Sequence, residues 1–177
     1  MPNTPLPRHP APALTFPLLG GDTWSLAEQS PDSFTLVVLY RGLHCPVCKS
    51  YLQKLVKLRD EYGALGVEVV AVSMDGEARA RTSRRDWELA DLPLGYDLDA
   101  ETARRWGLYL SEGIKDGEPE RFSEPGLFLV RPDAEVYYAA INSAPWGRPH
   151  LASFVKAVKF ITENDYPARG ELPEGGR

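Results

Sequence analysis

The sequence predicts a single-domain α/β fold, a central mixed β-sheet flanked by helices and preceded by a β-hairpin. Three observations carry this reading. Residues 35–40 and 67–73 are apolar runs of strand length with a helix-periodic segment between them, and that order makes a βαβ unit with buried parallel strands. Residues 126–130 and 135–141 are two further strand-like runs joined by a Pro132-Asp133 turn, which adds an antiparallel pair. Leu151, Phe154, Val155 and Val158, with Ile161 or Thr162, then recur at helical spacing as a C-terminal amphipathic helix.

Taken in order, the chain starts with proline at positions 2, 5, 7, 10 and 12, a composition that favours an extended arm over residues 1–13. The domain proper spans 14–165, and it opens with strands at 16–19 and 23–26 around Gly20-Gly21-Asp22. Two glycines supply the positive φ of a tight turn, and this hairpin is placed over one edge of the sheet. The run Leu36, Val37, Val38, Leu39 marks the central strand. Behind it Cys48, Leu52, Leu55, Leu58 and Tyr62 share one helical face, with Lys49, Gln53, Lys54 and Lys57 on the other. Pro46 fits the first helical position, where a missing N–H costs nothing, and Gly63 and Gly66 end the helix. Further helices are expected at 76–89 and 101–106, with a short strand at 94–96 between them. From Glu163 the chain turns polar and rich in proline and glycine, so 166–177 reads as a tail whose last residues are expected to be mobile.

Composition narrows the function. The chain has 177 residues, 43% hydrophobic and 25% charged, and no apolar run approaches the roughly 20 residues that span a bilayer, so no membrane partner is expected. The N-terminus lacks the features of a secretory signal, and a cytoplasmic location follows as the default. A net charge of −5 argues against nucleic acid. Arg79, Arg81, Arg84 and Arg85 are interleaved with Glu77, Asp86 and Glu88, which reads as a solvated helix face.

The chemistry lies in Cys45-Pro46-Val47-Cys48, which holds both cysteines of the chain and stands where the central strand hands over to a helix. Helix-start N–H groups and the macrodipole stabilise an anion there, and the reactive form of cysteine is the thiolate. In a reducing compartment a pair at this spacing is redox-active or metal-binding rather than a structural staple. Cys45, at the N-cap or just before it, is the more activated; Cys48, one turn on, is the more buried. A thiolate so placed attacks a peroxide oxygen or a disulfide sulfur, and both substrates stay open on this reading. A zinc site of the two cysteines with His44 and His9 or His150 matches no zinc spacing, so no metal and no cofactor is expected. His44 reads as a modulator of Cys45 or a plain loop residue. Trp146 and Arg148 sit in a loop, 142–149, that permits a substrate- or partner-facing role, while a core-anchoring Trp146 is the favoured alternative. Trp24, Trp87 and Trp106 read as core residues.

The element order and four segments together resemble the thioredoxin fold and, within it, the peroxiredoxin branch, the alkyl hydroperoxide reductase and thiol-specific antioxidant superfamily. The segments are Tyr40-Arg41-Gly42-Leu43-His44-Cys45-Pro46-Val47-Cys48, residues 70–75, residues 94–99 leading into Trp106-Gly107-Leu108, and Pro125-Gly126-Leu127-Phe128-Leu129-Val130. The long strand-and-helix insertion between Cys48 and Pro125 is the peroxiredoxin-like feature. The resemblance implies a thiol peroxidase in which Cys45 becomes a sulfenic acid and Cys48 condenses with it to an intramolecular disulfide. An external thiol such as thioredoxin or glutathione then restores the pair, and relatives commonly form homodimers. A protein disulfide reductase with the same two cysteines in the same roles is the alternative. A non-catalytic binding protein using the Trp146 loop or a sheet edge is the rival of another class.

The resemblance also carries departures. The family's proline and threonine, seven and three residues before the peroxidatic cysteine, are Val38 and Gly42 here, and the threonine hydroxyl normally helps bind peroxide. Pro125 stands where the family has an arginine, leaving Arg41, Arg121 or Arg148 as candidate cations. In the thioredoxin fold the proline at Pro125 is cis and packs on the cysteine pair, so a cis bond is expected there.

Overall fold

The computed structural model describes residues 4–173. Strand β1 (Thr15–Pro17) pairs antiparallel with β2 (Thr23–Ser25), Phe16 opposite Trp24, with both glycines of the turn at positive φ. The hairpin then lies against β5 (Leu94–Gly95), where the Leu19 N–H donates to the Leu94 carbonyl at 2.9 Å. This is the predicted edge position. The central strand β3 (Phe34–Leu39) is buried along its whole length. It pairs in parallel with β4 (Val67–Val72) and antiparallel with β8 (Gly126–Val130), and β9 (Val136–Ile141) completes the order β5-β4-β3-β8-β9.

Helix α1 (Pro46–Ala64) and helix α4 (Leu151–Asn164) cover one face of this mixed sheet. Leu52, Leu55, Phe154 and Val158 pack there against Leu36, Val38, Leu127 and Leu129. Each fully buried leucine contributes about 1.5–3 kcal/mol, so the start of α1 is held firmly at the end of β3. The opposite face is filled by the hairpin and by α3 (Ala100–Arg105), with Phe16, Trp24, Trp106 and Phe128 as its large side chains. Trp24, Trp87 and Trp106 are therefore core residues, as their sequence context predicts.

Two regions differ from expectation. Helix α2 (Glu77–Asp86) ends three residues early, because Glu88 and Ala90 take positive φ and turn the chain back toward β5. Its basic cluster divides as well: Arg81 and Arg85 pair with Glu77 and Asp86 at the surface, whereas Arg79 and Arg84 turn inward to Asp75 and to the Leu92 carbonyl. The second difference is a small hairpin that the sequence reading lacks, β6 (Leu110–Glu112) with β7 (Arg121–Ser123), Ser111 opposite Phe122. Strands of three residues carry too little alternation to be read.

The chain ends are tied down within the described residues. Arg8 and Ala11 donate backbone N–H groups to the carbonyls of Val136 and Ala134, and Ala168 is buried. Met1, Pro2 and Asn3 of the arm, and residues 174–177, for which mobility was expected, lie outside the described residues.

Candidate active site

Between β3 and α1 the chain makes a tight loop whose shape is set by Gly42 and Asp75. Gly42 has φ +125°, and a Cβ built there would fall 2.6 Å from the Asp75 carboxylate. That carboxylate is buried; it accepts the Leu43 N–H at 2.6 Å and the Arg79 Nε–H at 2.7 Å. The threonine that the family resemblance places at this position has no room here. The loop then delivers Cys45 to the N-cap of α1 with Pro46 as the first helical residue, and Cys45 Sγ accepts the Cys48 N–H at 3.2 Å.

The two buried sulfurs differ in acidity. Cys45 is held at about 6, chiefly by a hydrogen bond from the Cys48 side chain, against burial, with the Cys48 backbone N–H and the Arg41 guanidinium adding to the effect. A thiol there is mostly thiolate at neutral pH. Cys48 moves the other way: burial and its hydrogen bond to Cys45 raise it, opposed by the charge of Arg148.

Each cysteine has its own arginine. Arg41 Nε lies 3.1 Å from Glu124 Oε2, and its guanidinium stacks on Phe122 at 4.7 Å from the ring centroid. The N–H is not aimed at that oxygen, so the contact is a charge pair rather than a directed hydrogen bond. Glu124 is almost fully buried, and its other oxygen accepts the Ser111 hydroxyl at 2.7 Å. Arg148 approaches from the far end of the sequence: its Nη2 donates to Cys48 Sγ at 3.5 Å, and its guanidinium lies over the Tyr51 ring at 4.1 Å. Tyr51 in turn donates its hydroxyl to the Pro149 carbonyl at 2.7 Å, holding that loop in place. Of the three candidate cations, Arg41 and Arg148 reach the cysteines; Arg121 is exposed.

Cys45 lines a cleft of about 760 Å³ shared with Arg41, His44, Phe122, Glu124 and Trp146. Trp146 is 77% exposed at its rim, which corrects the favoured reading of a core anchor. The short helical turn at Pro145–Gly147 buries Pro145 instead and leaves the indole outside. His44 packs with its ring tilted against Phe122 at 4.5 Å between centroids, and burial, with the Arg41 charge, lowers its pKa below the usual imidazole value, which favours the neutral form. Pro125 is a second correction: every peptide bond among the described residues is trans. The chain runs extended from β7 into β8 with the Pro125 carbonyl accepting the Asn142 N–H at 3.1 Å, and an extended trans path satisfies that pairing.

Sequence reasoning missed Asp75, Glu124, Phe122 and Tyr51. Asp75 ends one of the matched segments, and Glu124 stands directly before Pro125, but neither position announces a buried charge. Among the described residues no three His, Cys, Asp or Glu side chains gather as a metal site, and no helix is long and apolar enough to cross a membrane.

Relatives share this arrangement of elements. The chain is 28% identical over 123 residues to putative peroxiredoxin YkuU of Bacillus subtilis, covering 66% of this chain and 64% of that one. It is 26% identical over 138 residues to peroxiredoxin-6 of Gallus gallus, covering 72% of this chain and 56% of that one. The chain thus spans less than two thirds of the length of either curated relative. Peroxidoxin BcpB from Mycobacterium tuberculosis superimposes with a TM-score of 0.71 at 16% identity, covering 89% of this chain and 98% of that one, which establishes the thioredoxin-like peroxiredoxin fold. A family model described as AhpC/TSA matches residues 7–139, well over half the sequence, and the chain belongs to the AhpC/TSA family.

Proposed function

We propose that the protein is a thiol peroxidase that reduces hydroperoxides through Cys45 and Cys48. The observation that carries the reading is Cys45 itself, an N-cap thiol held at about 6 at the floor of an open cleft, with Arg41 beside it. In the first step the Cys45 thiolate attacks the terminal oxygen of the peroxide, an S–O bond forms and the O–O bond breaks. The alkoxide or hydroxide leaves with a proton, and Cys45 holds a sulfenic acid. Cys48 then attacks the Cys45 sulfur, forming the S–S bond while hydroxide departs and takes a proton as water. An external dithiol reduces the disulfide and restores both thiols. Membership of the AhpC/TSA family and the peroxiredoxin names of its relatives support this assignment.

A protein disulfide reductase is the second reading, favoured by one feature. At Gly42 the site has no hydroxyl where the family's peroxide-binding threonine would stand, and Asp75 fills that space. Stopped-flow oxidation of the reduced protein by hydrogen peroxide and by an organic hydroperoxide, beside reduction of a protein disulfide, separates the two. Oxidation of Cys45 by both peroxides at no more than a free-thiol rate overturns the peroxidase.

A further inference from the structure

Arg148 is 7% exposed, yet among the described residues no carboxylate lies within ion-pair distance of it. Its Nε and Nη1 are buried with no hydrogen-bond acceptor. A buried cation without an anion costs several kcal/mol, so its surroundings matter. They are the face of Tyr51 and one acceptor, the Cys48 sulfur at 3.5 Å. Arg41 differs on this point, because Glu124 already neutralises it. Two acids touch Arg148 among the described residues: Tyr51 offers only its ring face and keeps its proton, which burial favours and which it donates to the Pro149 carbonyl, whereas Cys48 presents its acidic atom to the guanidinium.

We propose that Arg148 is the residue that ionises Cys48 for the resolving step, so that a single negative charge passes from the Cys45 sulfur to the Cys48 sulfur as the reaction proceeds. This rests on the two-cysteine reading above. In the reduced protein Cys45 is the anion and Cys48 stays a thiol that hydrogen-bonds to it, since two thiolates one helical turn apart repel. Oxidation of Cys45 to the sulfenic acid removes that charge, and with it the thiolate that held the Cys48 proton. Arg148 is then unopposed: Cys48 loses its proton to solvent, and its thiolate attacks Cys45 Sγ, forming S–S and breaking S–O, while hydroxide departs and takes a proton from solvent to become water. The order of the two ionisations is built into the placement of the two guanidinium groups.

The test isolates the second step. An aromatic disulfide with a coloured thiol leaving group is mixed with the reduced protein. Cys45 displaces one coloured thiolate to form a mixed disulfide, and Cys48 then displaces the second as the Cys45–Cys48 disulfide closes. The rate of the second release is followed against pH for the wild type, Arg148→Met and Arg148→Lys. The expected result is a second phase slowed about tenfold at neutral pH in Arg148→Met, with its pH midpoint moved upward by about one unit and the difference vanishing in alkali. Arg148→Lys, which keeps the charge but loses the flat stack on Tyr51, falls between the two. Equal slowing at every pH, or an unmoved midpoint in Arg148→Met, overturns the proposal. Should circular dichroism show Arg148→Met unfolded, an Arg148→Lys profile identical to the wild type overturns it. Because no peroxide is used, a failure of the peroxidase reading leaves this measurement intact.

Discussion

Cys45 and Cys48 stand one turn apart on the same helix and are equally buried, yet their surroundings push them in opposite directions. Cys45 faces the cleft from the N-cap, where helix N–H groups and Arg41 favour the anion. Cys48 faces inward, between the helix body and Arg148, where burial dominates. Burial alone would weaken both acids. What separates them is the hydrogen bond between them: Cys45 accepts the Cys48 proton, and Cys48, though it accepts from Arg148, spends its own proton on its neighbour.

The comparison breaks most completely when the accepting sulfur is removed. Cys45→Ser is expected to lower peroxide or disulfide turnover by roughly a thousandfold or more, to the background of the buried Cys48, as read by stopped-flow consumption. Cys48→Ser leaves a first oxidation of Cys45 and stops the cycle there, with a sulfenic acid or mixed disulfide visible by mass spectrometry. Rapid oxidation in Cys45→Ser with none in Cys48→Ser reverses the two roles.

Next in size is the loop that places Cys45. Gly42→Thr forces a β-branched residue to φ +125° and drives its Cβ into Asp75. Backbone strain alone costs about 1–3 kcal/mol, and the Leu43 N–H loses its carboxylate in addition. Urea denaturation is expected to show that loss, together with a Cys45 thiol titrating well above its present value of about 6. A stable Gly42→Thr protein with an unchanged thiol would remove Asp75 from the account of the site.

These effects also mark what was legible in the sequence. The motif, its strand-to-helix setting and Pro46 are local, and 3.6-residue periodicity with one proline is enough to place them. The central strands were legible for the same reason, being continuous apolar runs. Glu124 and Phe122 were not, because they reach the site through β7, a strand of three residues whose pairing with β6 leaves no periodic trace. Arg148 was named as a candidate without a target. Its contact with Cys48 spans 100 positions and depends on Tyr51 holding the Pro149 carbonyl. Trp146 went wrong because aromatic content predicts burial on average, and a neighbouring proline took the buried place instead.

A smaller change on the Cys45 side tests the cation. Arg41→Met is expected to raise the Cys45 thiol by about one unit from its value of about 6. The sign follows from the reactive form: the thiolate fraction falls as pH drops through the pKa, so the variant loses rate about tenfold near pH 5 and little above pH 8. Initial rates with hydrogen peroxide across that range check it. Equal loss at every pH would mean that Arg41 contacts the peroxide and does not tune the sulfur.

The smallest expected effect has the opposite sign and concerns the carboxylate that partners Arg41. Glu124→Gln keeps the size of the side chain and can still accept the Ser111 hydroxyl, while removing a buried negative charge 3.1 Å from the guanidinium. Arg41 remains stacked on Phe122, so its full charge is turned toward the sulfur. The Cys45 thiol is then expected to fall by a few tenths of a unit below about 6, giving up to about a twofold faster reaction near pH 5. Near pH 8 the thiolate is already formed, and a weaker base is a slightly weaker nucleophile, so the rate there drops slightly or holds. A thiol that instead titrates higher in Glu124→Gln would make Glu124 the residue that positions Arg41, and the contrast between a neutralised arginine at Cys45 and an unneutralised one at Cys48 would then be a contrast of placement rather than of charge.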